Sequence, residues 1–303
     1  ILLSGENDGN PAQVLGTRIV NNEIVDFTDS IQLYRPNNAT HAIDFGGTII
    51  DENDLYLTDA IYSDCNGNLE PQGDCACAEN AVDIKSAGTG SNNIVQVSNN
   101  RMWGFKDTDT ACGGTGSWGP AAVIHQGSEY SLFQANKIWS CARGLSFTSS
   151  RHSVIDNVIY AIDNPYADQG YGLVLNGSSS EAYRNIIIDV RNWSTVTGAD
   201  TDFRCNALLD AGNPGGTPGA GITADYNWYF NAGQLALPGD HDIVAAQASD
   251  AFHEDLCFWA RRWTGPEQIC IPRGAISGSS PHAGLCDPNL GSRPDVGIHD
   301  QPW

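Results

Sequence analysis

A short unit of apolar strand, asparagine and second apolar strand returns along the chain, and it constrains the fold more than any other feature. It occurs at residues 18–25 (RIVNNEIV), 94–103 (IVQVSNNRMW), 131–139 (SLFQANKIW), 154–160 (VIDNVIY) and 182–188 (AYRNIII), with a weaker copy at 224–230 (ADYNWYF). After several copies comes a third strand of alternating pattern, as at 30–33, 144–147 and 172–175. One such unit cannot bury its apolar side alone. Stacked at the ~4.8 Å spacing of paired strands, each copy bonds to the coils above and below it. Asparagine suits the corner because it tolerates the left-handed backbone region and can bond its own turn. Repeated at equivalent corners, it would also form a side-chain ladder.

This pattern predicts an all-β chain: a single right-handed parallel β-helix solenoid with long loops. Asn136 and Asn157 are 21 residues apart and Asn157 and Asn185 are 28 apart, so loops of different size interrupt a common coil. One domain is expected over residues 1–303, with regular coils over about 15–231 and an irregular C-terminal cap segment over 232–303. Within that segment, residues 245–248 read as a short helix and 258–263 (FWARRW) as an aromatic cover. The N-terminus enters a coil almost at once, with no amphipathic capping helix. Solenoids need capped ends, so the first coil is expected to lack an upstream segment or to be covered by another chain through self-association.

The motif set resembles the right-handed parallel β-helix superfamily of pectate-lyase-like proteins, over roughly residues 15–231. Residues 279–284 (SSPHAG) followed by 293–297 (RPDVG) are similar to the closing segment many such proteins carry. The resemblance implies a shape; function has to be argued from the site.

Charge narrows the partners. The formal net charge is −21, from 36 acidic and 15 basic residues. Nucleic acid is excluded as a partner, because phosphate binding needs a cationic footprint. No apolar run approaches the ~20 residues of a membrane span, so membrane insertion is not expected. The nine cysteines form no paired C-x-x-C knuckles, which favours disulfides in the loops of an exported protein over zinc. An odd count leaves one thiol free or paired outside the chain. Sequons at Asn38, Asn176 and Asn192 are compatible with a secreted or cell-surface location.

The sharpest candidate chemistry is at residues 79–86 (ENAVDIKS), around one of only three lysines. With Val82 and Ile84 inward, Glu79, Asp83 and Lys85 share the outer face. The next coil places His125 beside Lys85, and the preceding coil offers Gln32 and Tyr34. Cleaving a uronic-acid polymer by β-elimination needs a base for the C5 proton and a cation to neutralise the neighbouring carboxylate. A His or Tyr on this face could protonate the leaving oxygen, Tyr34 could contact sugar, and Arg101, Arg143 and Arg151 could hold substrate carboxylates bidentately. The region is similar to Ca²⁺-dependent polysaccharide lyases of the alginate and dermatan type and to one pectate lyase group. That resemblance implies Lys85 as base, with Ca²⁺ held by nearby acids, here Glu79 and Asp83. In the alginate type a catalytic arginine follows on the next strand; here residues 122–127 (AVIHQG) carry His125 and no arginine. The acid-rich stretch 51–54 (DEND), together with Asp59 and Asp64, could also hold Ca²⁺, without the spacing of an EF-hand. The expected function is an extracellular carbohydrate-active protein, a Ca²⁺-assisted polysaccharide lyase. The alternative is a non-catalytic surface, adhesin or filament-forming β-helix.

Overall fold

The computed structural model describes residues 1–4, 13–35, 43–58, 61, 79–87, 90–91, 93–106, 119–125, 127–164, 170–234, 239–240, 242–244, 256–260 and 267–271. Three parallel sheets hold all but two of the strands among them. The first holds β1 (Leu2–Ser4), β4 (Asp29–Tyr34), β7 (Asn80–Ile84), β10 (Pro120–Ile124), β13 (Arg143–Phe147), β16 (Tyr171–Leu175) and β19 (Asn192–Val196). In the second are β2 (Arg18–Val20), β5 (Ile49–Asp51), β8 (Val95–Ser98), β11 (Ser131–Gln134), β14 (His152–Ile155), β17 (Glu181–Tyr183), β20 (Asp202–Arg204) and β22 (Thr223–Asp225). The third comprises β3 (Glu23–Val25), β6 (Asp54–Tyr56), β9 (Arg101–Trp103), β12 (Lys137–Trp139), β15 (Val158–Ile162), β18 (Ile186–Val190), β21 (Ala207–Ala211), β23 (Trp228–Phe230) and β24 (Ile243–Val244). As far as β21, strands three apart in sequence pair side by side, so the chain passes once through each sheet per turn. This is a single parallel β-helix.

Alternation decides what each strand buries. Leu33, Ile84, Ile124, Phe147 and Leu175 follow one another from rung to rung of the first sheet and are all buried. Each such side chain contributes about 1.5–3 kcal/mol by leaving water. Toward the C-terminal coils Trp193, Phe203 and Tyr229 take over the interior, with the Trp193 and Phe203 rings 5.2 Å apart.

The asparagine ladder runs between the second and third sheets. It links Asn22, Asn53, Asn100, Asn136, Asn157, Asn185, Asn206 and Asn227, and ends on Asp242. Every step repeats one fork. The backbone N–H and the Nδ2 of one asparagine both donate to the Oδ1 of the next, as for Asn157 to Asn185 at 3.0 Å each. Nδ2 also donates to backbone carbonyls, in this case those of Phe133 and Ile155. From Asn53 to Asn227 the ladder residues are fully buried, and the fork satisfies groups that would be costly to leave unpaired.

The corner departs from the expected one in a useful way. The left-handed residue is the one before the ladder asparagine: Asn21, Glu52, Asn99, Ala135, Asp156, Arg184, Cys205 and Tyr226 have φ between 54° and 60°. Residues 51–54 are such a corner, with Asn53 inside the ladder and Asp54 paired to Arg101, rather than a Ca²⁺ loop. In the segment expected to form the aromatic cover, β25 (Leu256–Ala260) pairs antiparallel with β26 (Glu267–Ile271), and residues 261–263 lie outside the described residues. Residues 245–248, the closing segment 279–297, Asp59, Asp64, Cys65, Cys75 and Cys77 lie outside the described residues.

Replacing Asn157 by Leu would remove the acceptor of both Asn136 donors above it and leave Asn185 Oδ1 below with only the backbone N–H of residue 157 from that rung. Urea unfolding should show a loss of about 2–4 kcal/mol, since each buried unpaired polar group costs about 1–3 kcal/mol. Asn22→Leu, at the end of the ladder and half-buried, should cost less than half as much.

Candidate functional site

On the outer face of the first sheet, three consecutive strands deliver polar side chains to one place. Gln32 of β4 stands opposite Asp83 of β7, which stands opposite Val123 of β10. One position further on, the Lys85 N–H bonds the Leu33 carbonyl and the His125 N–H bonds the Ile84 carbonyl, so Tyr34, Lys85 and His125 form a row across successive rungs. The sequence reading of this shared face is therefore what the register produces.

Asp83 is the hub, and its side chain is fully buried. Lys85 Nζ lies 2.7 Å from Oδ2, and Gln32 Nε2 donates to the same oxygen at 2.7 Å. His125 Nε2 sits 2.9 Å from Oδ1 in ion-pair contact, off the line of a well-aligned hydrogen bond. Burial by itself would push the Asp83 carboxyl up. The donors His125, Lys85 and Gln32 outweigh it and hold the group below its usual range, so Asp83 is a carboxylate. Its partners reach water: the Lys85 side chain is 28% exposed and that of His125 46%.

A second carboxyl pair adjoins the hub. Asp29 and Glu79 hydrogen-bond to each other, which requires a shared proton. Gln32 Nε2 also donates to Asp29 Oδ2 at 3.2 Å, and Asn80 Nδ2 to Asp29 Oδ1 at 3.3 Å. Burial, the Asp29 charge and the Asp29 hydrogen bond push Glu79 up to about 7 against the pull of Lys85. Asp29 is raised as well, by burial and then the Asp83 charge, against bonds from Glu79 and Asn80.

These contacts redistribute the expected roles. Desolvation pulls the Lys85 amine down, but Asp83, Asp29 and Glu79 outweigh it and raise it, so Lys85 is a fixed ammonium and a poor base. Around the two acids expected to hold a cation, Asp83 is enclosed by a lysine, an amide and an imidazole, and Glu79 adjoins Asp29. No group of three or more His, Cys, Asp or Glu side chains suited to a metal occurs among the described residues. Arg101 is not at the site. It is buried on the third sheet and paired with Asp54 one rung away. Arg143 is on the first sheet but at the opposite end of the strands from His125, in register with Pro120. Arg151 pairs with Glu129. Three aromatics stack on one another inside the fold: Tyr56, Trp103 and Trp139, all buried, follow at 4.2 and 4.6 Å on the third sheet. Asp29 was missed by the sequence reading, because nothing in the sequence counts the register across the intervening residues 36–79.

Two other groups are structural. Cys141 is a free, buried thiol that burial pushes up to about 12, so it is inert as a nucleophile. His152 is buried between hydroxyls, with Nδ1 2.8 Å from Ser131 Oγ and Nε2 2.8 Å from Ser149 Oγ. Among the described residues its partners are serines, and no carboxylate completes a triad.

No family model matches the chain, and neither the curated proteins nor the solved structures hold a significant match to it.

Burial lowers His152 from the usual 6.5 to about 4. The unfolded imidazole takes up a proton below 6.5 while the folded one does not until about 4. The stability His152 contributes is thus complete above pH 6.5 and is lost as pH falls toward 4, to about 3 kcal/mol. Urea unfolding of the wild type against His152→Asn at pH 7 and pH 4 should show this difference in slope.

Proposed function

We propose that this chain is an exported, carbohydrate-active β-helix that cleaves a uronic-acid-containing polysaccharide by β-elimination on the outer face of the first sheet. The observation that carries the reading is the buried Asp83 carboxylate contacting both a solvent-reaching lysine and a solvent-reaching histidine. An acceptor-only carboxylate at Nε2 puts the imidazole proton there, leaving the Nδ1 lone pair for a substrate.

In this reading His125 Nδ1 takes the proton from C5 of a uronate ring. The electrons of that C–H bond become the C4–C5 double bond, and the C4–O bond breaks. Tyr34, in the same row, protonates the departing oxygen. Lys85 is the cation facing the substrate carboxylate, which acidifies C5. This differs from the lysine-as-base arrangement of the calcium-dependent lyases that the sequence resembles, and it requires no Ca²⁺. The stacked coils and the ladder are in keeping with pectate-lyase-like proteins. Export and disulfides among the cysteines belong to the same proposal. On a chain of net charge −21, Lys85 is the cation that this row offers to an anionic polysaccharide.

The test is absorbance near 230 nm from unsaturated products when the protein meets a panel of polyuronates (about 230 nm is the range of such conjugated acids). Turnover should persist in a chelator. General base removal should lower it by at least about 10²-fold in His125→Ala, and Lys85→Met should raise KM and lower kcat together. Full activity in His125→Ala would remove this mechanism.

A further inference from the structure

The hub raises a question of orientation. An aspartate side chain rotates readily about its last bond, with two nearly equivalent settings. For His125 to present Nδ1 outward, Asp83 Oδ1 has to stay at Nε2. Lys85 contributes to this, but it sits on the same strand as Asp83 and on a flexible stem. The donor from across the rung is Gln32.

We infer that Gln32, anchored by Asp29, is a positioning residue that locks the Asp83 carboxylate and thereby fixes which nitrogen His125 offers to substrate. This rests on the proposed reaction for its consequence in catalysis, but not for its geometry. One primary amide has two N–H groups, and here Nε2 reaches two carboxylates on neighbouring strands, Asp83 Oδ2 at 2.7 Å and Asp29 Oδ2 at 3.2 Å. Asp29 is itself restrained through Asn80 Nδ2 and through the proton it shares with Glu79. The amide therefore ties this carboxyl pair to the ionised hub. With Gln32 and Lys85 both on Oδ2, only Oδ1 remains for the imidazole. The charged or titratable groups facing this amide are Asp29 from its own strand, Glu79, Asp83 and Lys85 from β7 and the segment leading into it, and His125 just past β10.

The experiment is ¹⁵N NMR of the histidine rings in the full chain, with kinetics alongside. At a pH high enough to deprotonate the imidazolium, wild type should show His125 as a single tautomer carrying its proton on Nε2. In Gln32→Leu the spectrum should move to a mixture of tautomers, and kcat on a polyuronate should fall about 10- to 100-fold with little change in KM, as expected for a misplaced catalytic group. Asp29→Asn, which keeps Gln32, should move both readouts the same way by less, and it decides the matter if Gln32→Leu does not fold. A wild-type tautomer spectrum retained in both variants, or an altered spectrum with unchanged kcat, overturns the inference. If the wild type turns over no polyuronate, the proposed reaction fails, while the tautomer spectra still decide whether Gln32 sets the imidazole.

Discussion

The primary amide of asparagine, buried and stacked from coil to coil, is the interaction on which the rest of the structure depends. Each ladder asparagine accepts two N–H bonds on Oδ1 and returns two from its backbone N–H and Nδ2. Aspartate offers the acceptor but no amide donor, and it is Asp242 that stands at the end of the ladder. The ladder also explains the corner. A left-handed non-glycine residue costs about 1–2 kcal/mol, yet Ala135, Arg184, Cys205 and Tyr226 all adopt that conformation immediately before a ladder asparagine. Residue type at that position is free because the following asparagine holds the turn.

Register fixed in this way has a chemical consequence. Coils 21 residues long in the plainest cases and 47 in the longest bring the same strand positions into line. A fully buried carboxylate on the first sheet can then be surrounded from three rungs. Leaving Asp83 ionised away from water is costly unless it is paired, and Gln32, Lys85 and His125 supply the pairing. The same electrostatics that keep Asp83 charged make Lys85 a permanent cation. Nearby, the crowding of Asp29 and Glu79 is relieved by one proton. A carboxyl pair and an ionised carboxylate thus lie within one hydrogen-bonded group.

Much of this was legible in the sequence, and the remainder failed for identifiable reasons. Strand–asparagine–strand units showed the coil because their apolar flanks are long. Asn53 and Asn206 escaped notice because Asp51, Glu52 and Asp54 make the first look like an acid cluster, and Cys205 draws attention in the second. The row joining Lys85 to His125 followed from strand alternation alone. Arg101 was misplaced because its partner Asp54 is 47 residues away, and only the fold reveals that both are buried. Asp29 joins Glu79 across a long insertion, where residue counting gives no register. Lys85 as base was the natural reading of a rare lysine, and the carboxylates around it reverse that reading.

The ladder can be observed directly through hydrogen exchange of the asparagine side-chain amides. Nδ2 protons of Asn100, Asn136, Asn157, Asn185 and Asn206 should exchange many orders of magnitude more slowly than those of the exposed Asn176, and together with the backbone amides of the adjoining strands. Rapid exchange of the interior Nδ2 protons in a folded chain would contradict the stacked amides, and with them the register that assembles Asp83, Lys85 and His125.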